Sequence, residues 1–83
     1  MVDVVKITEE IILTLVSNKD MVKVKQFETE DDNIVLVQVF VDEEDMPKVI
    51  GKRGKVINSI RTIVQAASYL HDNKTIKIDI DSI

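Results

Sequence analysis

The residues best suited to bind an anion lie together in the segment Val49–Lys55, which reads Val-Ile-Gly-Lys-Arg-Gly-Lys. Gly51 and Gly54 are the only two glycines among the 83 residues of the chain. Glycine admits positive φ and lacks the Cβ that would hold a ligand away from the main chain. Two glycines that enclose Lys52 and Arg53 therefore predict a turn that grips phosphate. RNA or single-stranded DNA is the first partner to test against this chemistry.

The charge distribution favours the same segment, although the net charge of the chain is −4. Residues 48–61 contain five basic residues and no acidic one, whereas the rest of the chain carries six basic and fifteen acidic residues. Phosphate contacts supply most of the non-specific affinity for nucleic acid. A basic patch on an acidic body thus predicts binding to one short strand segment. The alternative is that these charges are only the solvated start of a helix.

Four elements are predicted before or at the glycine turn. Apolar residues recur at helical spacing over Asp3–Asn18, whose first residue can cap the helix. Alternation of apolar and polar residues predicts strands over Met21–Glu28 and Ile34–Val41, joined as a hairpin by a polar turn. A short helix follows and ends at Ile50. Its Pro47 fits only in the first turn, where a missing N–H is not needed.

A long amphipathic helix and a last strand are predicted after the turn. The helix ends near His71, and the strand covers Thr75–Asp81 with its isoleucines inward. The apolar stripe of the helix is Val56, Ile60, Ile63, Ala67 and Leu70, flanked by Ile57 and Val64. The order α-β-β-α-α-β predicts an α+β fold in a single domain, residues 1–83. We expect a three-stranded sheet with three helices packed on one face.

The middle strand predicts an apolar surface on the side of the sheet away from the helices. Gln38 interrupts the even-numbered face, so the valines at 35, 37, 39 and 41 are expected to face the helices. Ile34, Leu36 and Phe40 then lie on the opposite face, where Phe27 of the neighbouring strand joins them. Such a patch is typical of a partner interface. The alternative is that a helix end or the chain terminus covers it.

Bases need a surface beside the phosphate-gripping turn. Ile50 and Ile57, with Val37 or Val39, can form an aliphatic platform, unless these side chains belong to the core. Asn58 and Arg61 lie about one turn into the long helix, within reach of a base edge or phosphate, although a solvated helix position is the better explanation of Asn58. The candidate RNA-binding residues are Lys48, Ile50, Gly51, Lys52, Arg53, Gly54, Lys55, Ile57, Asn58 and Arg61.

Little in the chain indicates an enzyme, a cofactor or a metal site. There is no cysteine, which fits a reducing cytoplasm, and His71 is the only histidine. The acidic runs at 28–32 and 42–45 have no EF-hand spacing and no nucleophile beside them, so we interpret them as solvated turns. No apolar run approaches the roughly 20 residues that span a bilayer. We therefore expect a non-enzymatic cytoplasmic protein without membrane insertion.

The glycine turn and the elements around it resemble those of a known family. Ile-Gly-Lys-Arg-Gly between the last two helices of an α-β-β-α-α-β chain resembles a type II KH domain, whose G-x-x-G loop clamps about four nucleotides. The stretches Leu15–Asn18 and Glu44–Gly54, with Ile60-Arg61-Thr62 and Ala66-Ala67, are similar to the KhpA family of small stand-alone bacterial KH proteins. The resemblance covers essentially the whole chain.

The resemblance implies an RNA-binding protein, RNA-chaperone-like and post-transcriptional in its role, whose RNA-holding loop is Gly51–Gly54. It also implies a homodimer or a complex with a larger KH-containing protein, KhpB, and a link to cell-wall biogenesis and cell shape. Pro47 departs from the family pattern, where glycine is usual, and Lys19 replaces a frequent proline. The competing hypothesis is a protein-assembly module that uses its apolar sheet face, with RNA binding secondary or absent.

Overall fold

A three-stranded sheet with the order β1-β2-β3 organises the computed structural model, which describes residues 3–83. The strands are β1 (Lys23–Glu28), β2 (Ile34–Val41) and β3 (Thr75–Ser82). β1 pairs with β2 in antiparallel fashion, as expected for a hairpin, whereas β3 lies parallel to β2. The parallel pair requires a crossover, and the two helices between β2 and β3 supply it. The predicted domain boundary includes residues 1 and 2, which lie outside the described residues.

Three α-helices cover one face of this sheet, as the sequence predicts. They are α1 (Val4–Leu15), α2 (Met46–Ile50) and α3 (Lys55–His71). α2 is preceded by a 3₁₀ turn over Glu43–Asp45, and Pro47 lies in its first turn as expected. No helix within residues 3–83 is long and apolar enough to cross a membrane.

Alternation along β2 separates the core from the outer face of the sheet. Val35, Val37, Val39 and Val41 are all buried, and the last three have no exposed surface. The residues between them are half-buried because no helix among residues 3–83 packs on their side. The two predicted faces of β2 are therefore confirmed. The buried core cluster comprises Val4, Ile12, Val16, Val35, Val37, Val39, Val41, Val49, Ile57, Ile60, Val64, Ile76 and Ile78.

The predicted apolar stripe of α3 is wrong in two of its members. Ile63 and Leu70 are 54% and 81% exposed, and the buried row is Ile57, Ile60, Val64 and Ser68. Ser68 occupies a core position because its hydroxyl donates to the Lys74 carbonyl at 2.8 Å and accepts from the Lys74 N–H at 3.3 Å. This hydroxyl stabilises the turn between α3 and β3. Because serine is polar, a search for apolar residues does not predict Ser68 as a buried position.

The ends of α1 and β1 also differ from the prediction. α1 ends at Leu15 rather than Asn18, and β1 begins at Lys23 rather than Met21. The chain leaves the helix because the N–H groups of residues 17 and 18 donate to the side chain of Asp45. A 3₁₀ turn over Lys19–Met21 then leads into the strand.

Candidate nucleic-acid interface

Gly51 ends α2 in a conformation that is essentially restricted to glycine. Its φ is 75° and its ψ is 175°, and its N–H donates to the Pro47 carbonyl at 2.9 Å. A Cβ at this position would lie 2.8 Å from the Cβ of Val56 and 2.9 Å from the Val56 nitrogen. Both the backbone conformation and the close approach of α3 therefore require glycine here.

The next residues turn the chain sharply into α3. Arg53 and Gly54 both adopt left-handed conformations, with φ values of 58° and 75°. The Gly54 N–H donates to the Gly51 carbonyl at 3.2 Å, and the Lys55 N–H donates to the Lys52 carbonyl. A left-handed conformation costs a non-glycine residue about 1–2 kcal/mol. The loop holds Arg53 in this conformation, and strain of this kind is concentrated at functional sites.

The N-terminus of α3 is open, in contrast to that of α1. The Asp3 carboxylate accepts from the Lys6 N–H at 3.1 Å and thereby caps α1. α3 begins after Gly54 with no side-chain cap and no acidic residue in its first turn. Free N–H groups and the positive end of the helix dipole attract anions at such a terminus.

Three exposed basic side chains surround this terminus. Lys52 and Arg53 lie at the tip of the loop, and Lys55 is the first residue of α3. The structure thus brings the central four predicted residues, Gly51–Gly54, together with Lys55 in one exposed basic turn. The arrangement can bind an anion through backbone N–H groups and cationic side chains together.

Lys48 points away from this turn. Its ammonium group lies 3.4 Å from the Asp45 carboxylate and donates a hydrogen bond to the Ser17 hydroxyl at the end of α1. The lysine charge is therefore partly neutralised and directed toward α1. Proximity in sequence to Gly51 predicts Lys48 as an RNA contact, but the side-chain geometry does not place its charge at the loop.

Asp45 lies in an acidic run that the sequence predicts to be a solvated turn, and this prediction is wrong for Asp45, which supports the loop. It is 1% exposed, and its two carboxylate oxygens accept from the N–H groups of Ser17 and Asn18 at 3.0 and 2.9 Å. These two hydrogen bonds, more than the nearby Lys48, lower the pKa of Asp45 below its usual 3.8. The carboxylate ties the end of α1 to the start of α2 and so fixes the element that leads into the loop.

Asn58 and Arg61 do come together, on the side of α3 that faces β3. The Arg61 guanidinium donates to the Asn58 side-chain oxygen at 3.0 Å and twice to the Ile78 carbonyl, at 3.2 and 2.9 Å. One turn further along, the Gln65 amide donates to the Lys74 carbonyl and accepts from the Ile76 N–H, each at 2.8 Å. Arg61 and Gln65 therefore cover part of the unpaired edge of β3.

The predicted aliphatic platform is only partly available. Val37 and Val39 have no exposed surface, and Ile57 is 5% exposed, so these three side chains belong to the core. Ile50 is half-buried at the end of α2 and is the one member with accessible surface. The Ile57 side chain packs against the loop, since it lies 3.9 Å from the position that a Cβ on Gly54 would occupy.

The predicted partner residues lie on the far side of the sheet from the loop. Phe27 is 44% exposed and pairs in register with Leu36, whereas Ile34, Leu36 and Phe40 are half-buried. Within residues 3–83, no group of three or more potential metal ligands occurs.

The element order, the sheet topology and a glycine loop between α2 and α3 define a KH domain of type II. The family model described as KhpA/KhpB, KH domain, matches residues 6–80. The chain belongs to this family.

Curated relatives of nearly the same length carry one common name. The RNA-binding protein KhpA of Caldanaerobacter subterraneus subsp. tengcongensis is 35% identical over 75 residues, which cover 90% of this chain and 96% of that protein. The RNA-binding protein KhpA of Aquifex aeolicus is 39% identical over 64 residues, which cover 77% of this chain and 75% of that protein.

The fold also occurs within a larger protein of known structure. Era, crystallised with MgGDPNP and nucleotides 1506–1542 of 16S ribosomal RNA, matches 95% of this chain with a TM-score of 0.67. The match spans 29% of the Era chain at 19% sequence identity. This similarity shows the fold alone.

Proposed function

We propose that this protein binds single-stranded RNA by gripping the sugar-phosphate backbone at Gly51–Gly54. The observation that carries the proposal is the exposed basic turn at the uncapped N-terminus of α3. The relatives named RNA-binding protein KhpA support RNA as the nucleic acid. A KH loop of this kind accommodates about four nucleotides, and the acidic remainder of the chain confines binding to one face.

The proposal includes little dependence on base identity. The exposed side chains at the loop are the cationic Lys52, Arg53 and Lys55, and the nearby amide of Asn58 already accepts a hydrogen bond from Arg61. Arg61 is already bonded to the Ile78 carbonyl. Backbone contacts position a strand without reading its sequence. Such binding suits an RNA chaperone that acts on many transcripts in the cytoplasm, and it leaves the sheet face free for a partner such as KhpB.

The test is to replace Lys52 and Arg53 together by Asp and to measure RNA affinity by fluorescence anisotropy. We expect binding to be lost with an unchanged circular dichroism spectrum, because both side chains are exposed at the tip of the loop. The matched control, Lys6→Asp/Lys19→Asp, makes the same charge change at exposed positions on α1 and the turn after it. Normal binding by the loop variant would contradict the assignment of the loop.

Salt dependence provides a second readout of the same proposal. Each phosphate neutralised on a single strand changes log K by roughly −0.7 per unit of log salt concentration. Four contacted nucleotides then give a slope of at most about −3. An affinity independent of salt would contradict backbone gripping.

A second candidate function, protein assembly, is favoured by one specific observation. Leu36 and Phe40 lie on a sheet face that no helix covers within residues 3–83. Because this face and the loop are separate, assembly and RNA binding are compatible with each other.

A further inference from the structure

α3 carries no acidic residue at any of its 17 positions, although the chain has fifteen acidic residues. Its cationic side chains are Lys55 at the first position and Arg61 further along the helix. An RNA strand that leaves the loop along α3 therefore meets positive charge and no negative charge on that helix. This is the charge pattern that a second contact for a polyanion requires.

The Arg61 guanidinium adds its charge to this surface, although its hydrogen bonds are made within the protein. It donates to the Asn58 side-chain oxygen and to the Ile78 carbonyl, and both acceptors are uncharged. Asn58 also faces the loop, because its amide nitrogen lies 3.6 Å from the position that a Cβ on Gly54 would occupy. The surface around Arg61 is therefore continuous with the glycine loop.

A shallow groove of about 460 Å³ extends from Arg61 along α3. It is mostly apolar and is lined by Arg61, Thr62, Gln65, Ala66 and Tyr69. Residues at this spacing lie along one side of a helix, with Arg61 at the end nearer the loop and Tyr69 at the far end. Tyr69 is 55% exposed, so part of its ring is accessible from solvent. An accessible aromatic ring beside a cationic surface is typical of proteins that bind single-stranded nucleic acid.

We propose that the RNA strand held at Gly51–Gly54 continues along α3 and that one of its bases stacks on Tyr69. The proposal rests on the proposed function and adds a nucleobase subsite at the far end of the same surface. Every base has a π-face, so stacking on an aromatic side chain tolerates any sequence. The subsite therefore agrees with binding that depends little on base identity.

The distance from the loop to Tyr69 sets the length of RNA that reaches both. Lys55 and Tyr69 are 14 positions apart on α3, which is about 21 Å at roughly 1.5 Å per residue. A stacked strand rises about 3.4 Å per nucleotide, so about six nucleotides cover this distance and an extended strand needs fewer. Together with the roughly four nucleotides held at the loop, an RNA of about ten nucleotides fills both sites. A tetranucleotide fills the loop alone.

Two observations favour RNA over a protein side chain as the occupant of the groove. The groove begins at Arg61, whose neighbour Asn58 lies against Gly54 of the loop. The helix that forms the groove is cationic within an acidic chain. Continuity with the loop and charge complementarity therefore both select the strand that the loop already holds.

The test compares oligoadenylates of four and ten nucleotides, labelled with fluorescein, by fluorescence anisotropy. We expect Tyr69→Ala to weaken binding of the ten-nucleotide RNA about tenfold, the order of one base stack, and to leave the tetranucleotide unchanged. Tyr69→Phe keeps the ring and should bind both RNAs like wild type. The control Leu70→Ala removes the adjacent apolar side chain, which is 81% exposed, and should also bind both RNAs like wild type.

The intrinsic fluorescence of the chain reports the stack directly. Tyr69 is the only tyrosine, and the chain has no tryptophan. After correction for absorption by the RNA, we expect the ten-nucleotide RNA to quench this fluorescence and the tetranucleotide to leave it nearly unchanged. A merely structural role of Tyr69 predicts no such difference between the two RNAs.

Each result decides the proposal. Normal binding of the ten-nucleotide RNA by Tyr69→Ala would overturn it and leave the groove to a partner protein. An equal loss for both RNAs would also overturn it, because the loss would then arise at the loop or from the fold. The loop variant Lys52→Asp/Arg53→Asp separates this proposal from the proposed function. If the loop variant loses binding and Tyr69→Ala does not, only the subsite is wrong; if the loop variant binds normally, the proposed function itself is wrong.

Discussion

Replacement of Gly51 by alanine tests whether the loop is built by backbone geometry or only by its charges. Two separate costs arise at this position. The conformation at φ 75° and ψ 175° is essentially restricted to glycine, and an alanine held there costs about 1–3 kcal/mol. The added methyl group would also lie 2.8 Å from the Val56 Cβ, and overpacking of this kind typically costs about 1–3 kcal/mol.

The sum predicts that Gly51→Ala lowers the free energy of unfolding by about 2–6 kcal/mol. A domain of this length has a total stability of about 4–12 kcal/mol. The variant should therefore be severely destabilised, and where it folds, the contact between Gly51 and Val56 must open. Because the same contact sets the start of α3, RNA affinity should fall even though no charge has changed.

Gly54 provides the matched comparison in the same loop. Its Cβ position has room, since the nearest atoms are the Asn58 amide nitrogen at 3.6 Å and Ile57 at 3.9 Å. Gly54→Ala should then cost only the left-handed conformation, about 1–2 kcal/mol, and Gly54→Asn less, because asparagine tolerates it. Urea unfolding of the three variants measures the difference. A Gly51→Ala protein as stable as Gly54→Ala would refute the reasoning from the Val56 contact.

Two further predictions concern the residues that support the loop. Because the folded-state pKa of Asp45 is lowered, its stabilisation is present above its usual 3.8 and is lost as the pH falls through the lowered value. Asp45→Asn should therefore destabilise the protein at pH 7, and its deficit should shrink as the pH falls through the lowered pKa, as measured by urea unfolding across a pH series. A deficit that does not change with pH would contradict the carboxylate's role. Arg61→Met removes both hydrogen bonds to the Ile78 carbonyl and should cost about 1 kcal/mol. Its loss of RNA affinity should be smaller than that of Lys52→Asp/Arg53→Asp, and a comparable loss would make Arg61 a principal RNA contact.

The sequence predicts the fold well because its strongest patterns are local. β2 begins and ends where alternation of apolar and polar residues predicts, and Asp3 caps α1 as its position suggests. The α3 stripe fails at Ile63 and Leu70 because an amphipathic pattern with isoleucine and leucine on several faces does not specify which face is buried. Ser68 is buried because its hydroxyl is hydrogen-bonded to the Lys74 backbone. A pattern of hydrophobic residues cannot predict such a position.

The site is predicted less completely than the fold, for a related reason. The positions of Gly51 and Gly54 follow from sequence because glycine adopts positive-φ conformations more readily than any other residue. The directions of charged side chains do not, because they depend on partners far away in sequence. The Asp45 carboxylate accepts hydrogen bonds from the N–H groups of Ser17 and Asn18, and the Lys48 ammonium group is directed toward the same carboxylate. A buried carboxylate in an acidic run leaves no sequence signal that distinguishes it from its solvated neighbours.

The division of charge explains how an acidic protein can bind RNA. Around the loop, residues 48–61 contain no acidic residue, so Lys52, Arg53 and Lys55 provide a local positive charge. On the outer sheet face, Lys23 and Lys25 lie on β1 and Asp79 and Asp81 lie on β3, so this face offers a phosphate backbone no continuous basic path. The charge pattern therefore favours the loop over the outer sheet face as the site for phosphate. Lys52→Asp/Arg53→Asp should therefore lower RNA affinity, whereas Lys23→Glu/Lys25→Glu on the outer sheet face should change it far less, as measured by fluorescence anisotropy.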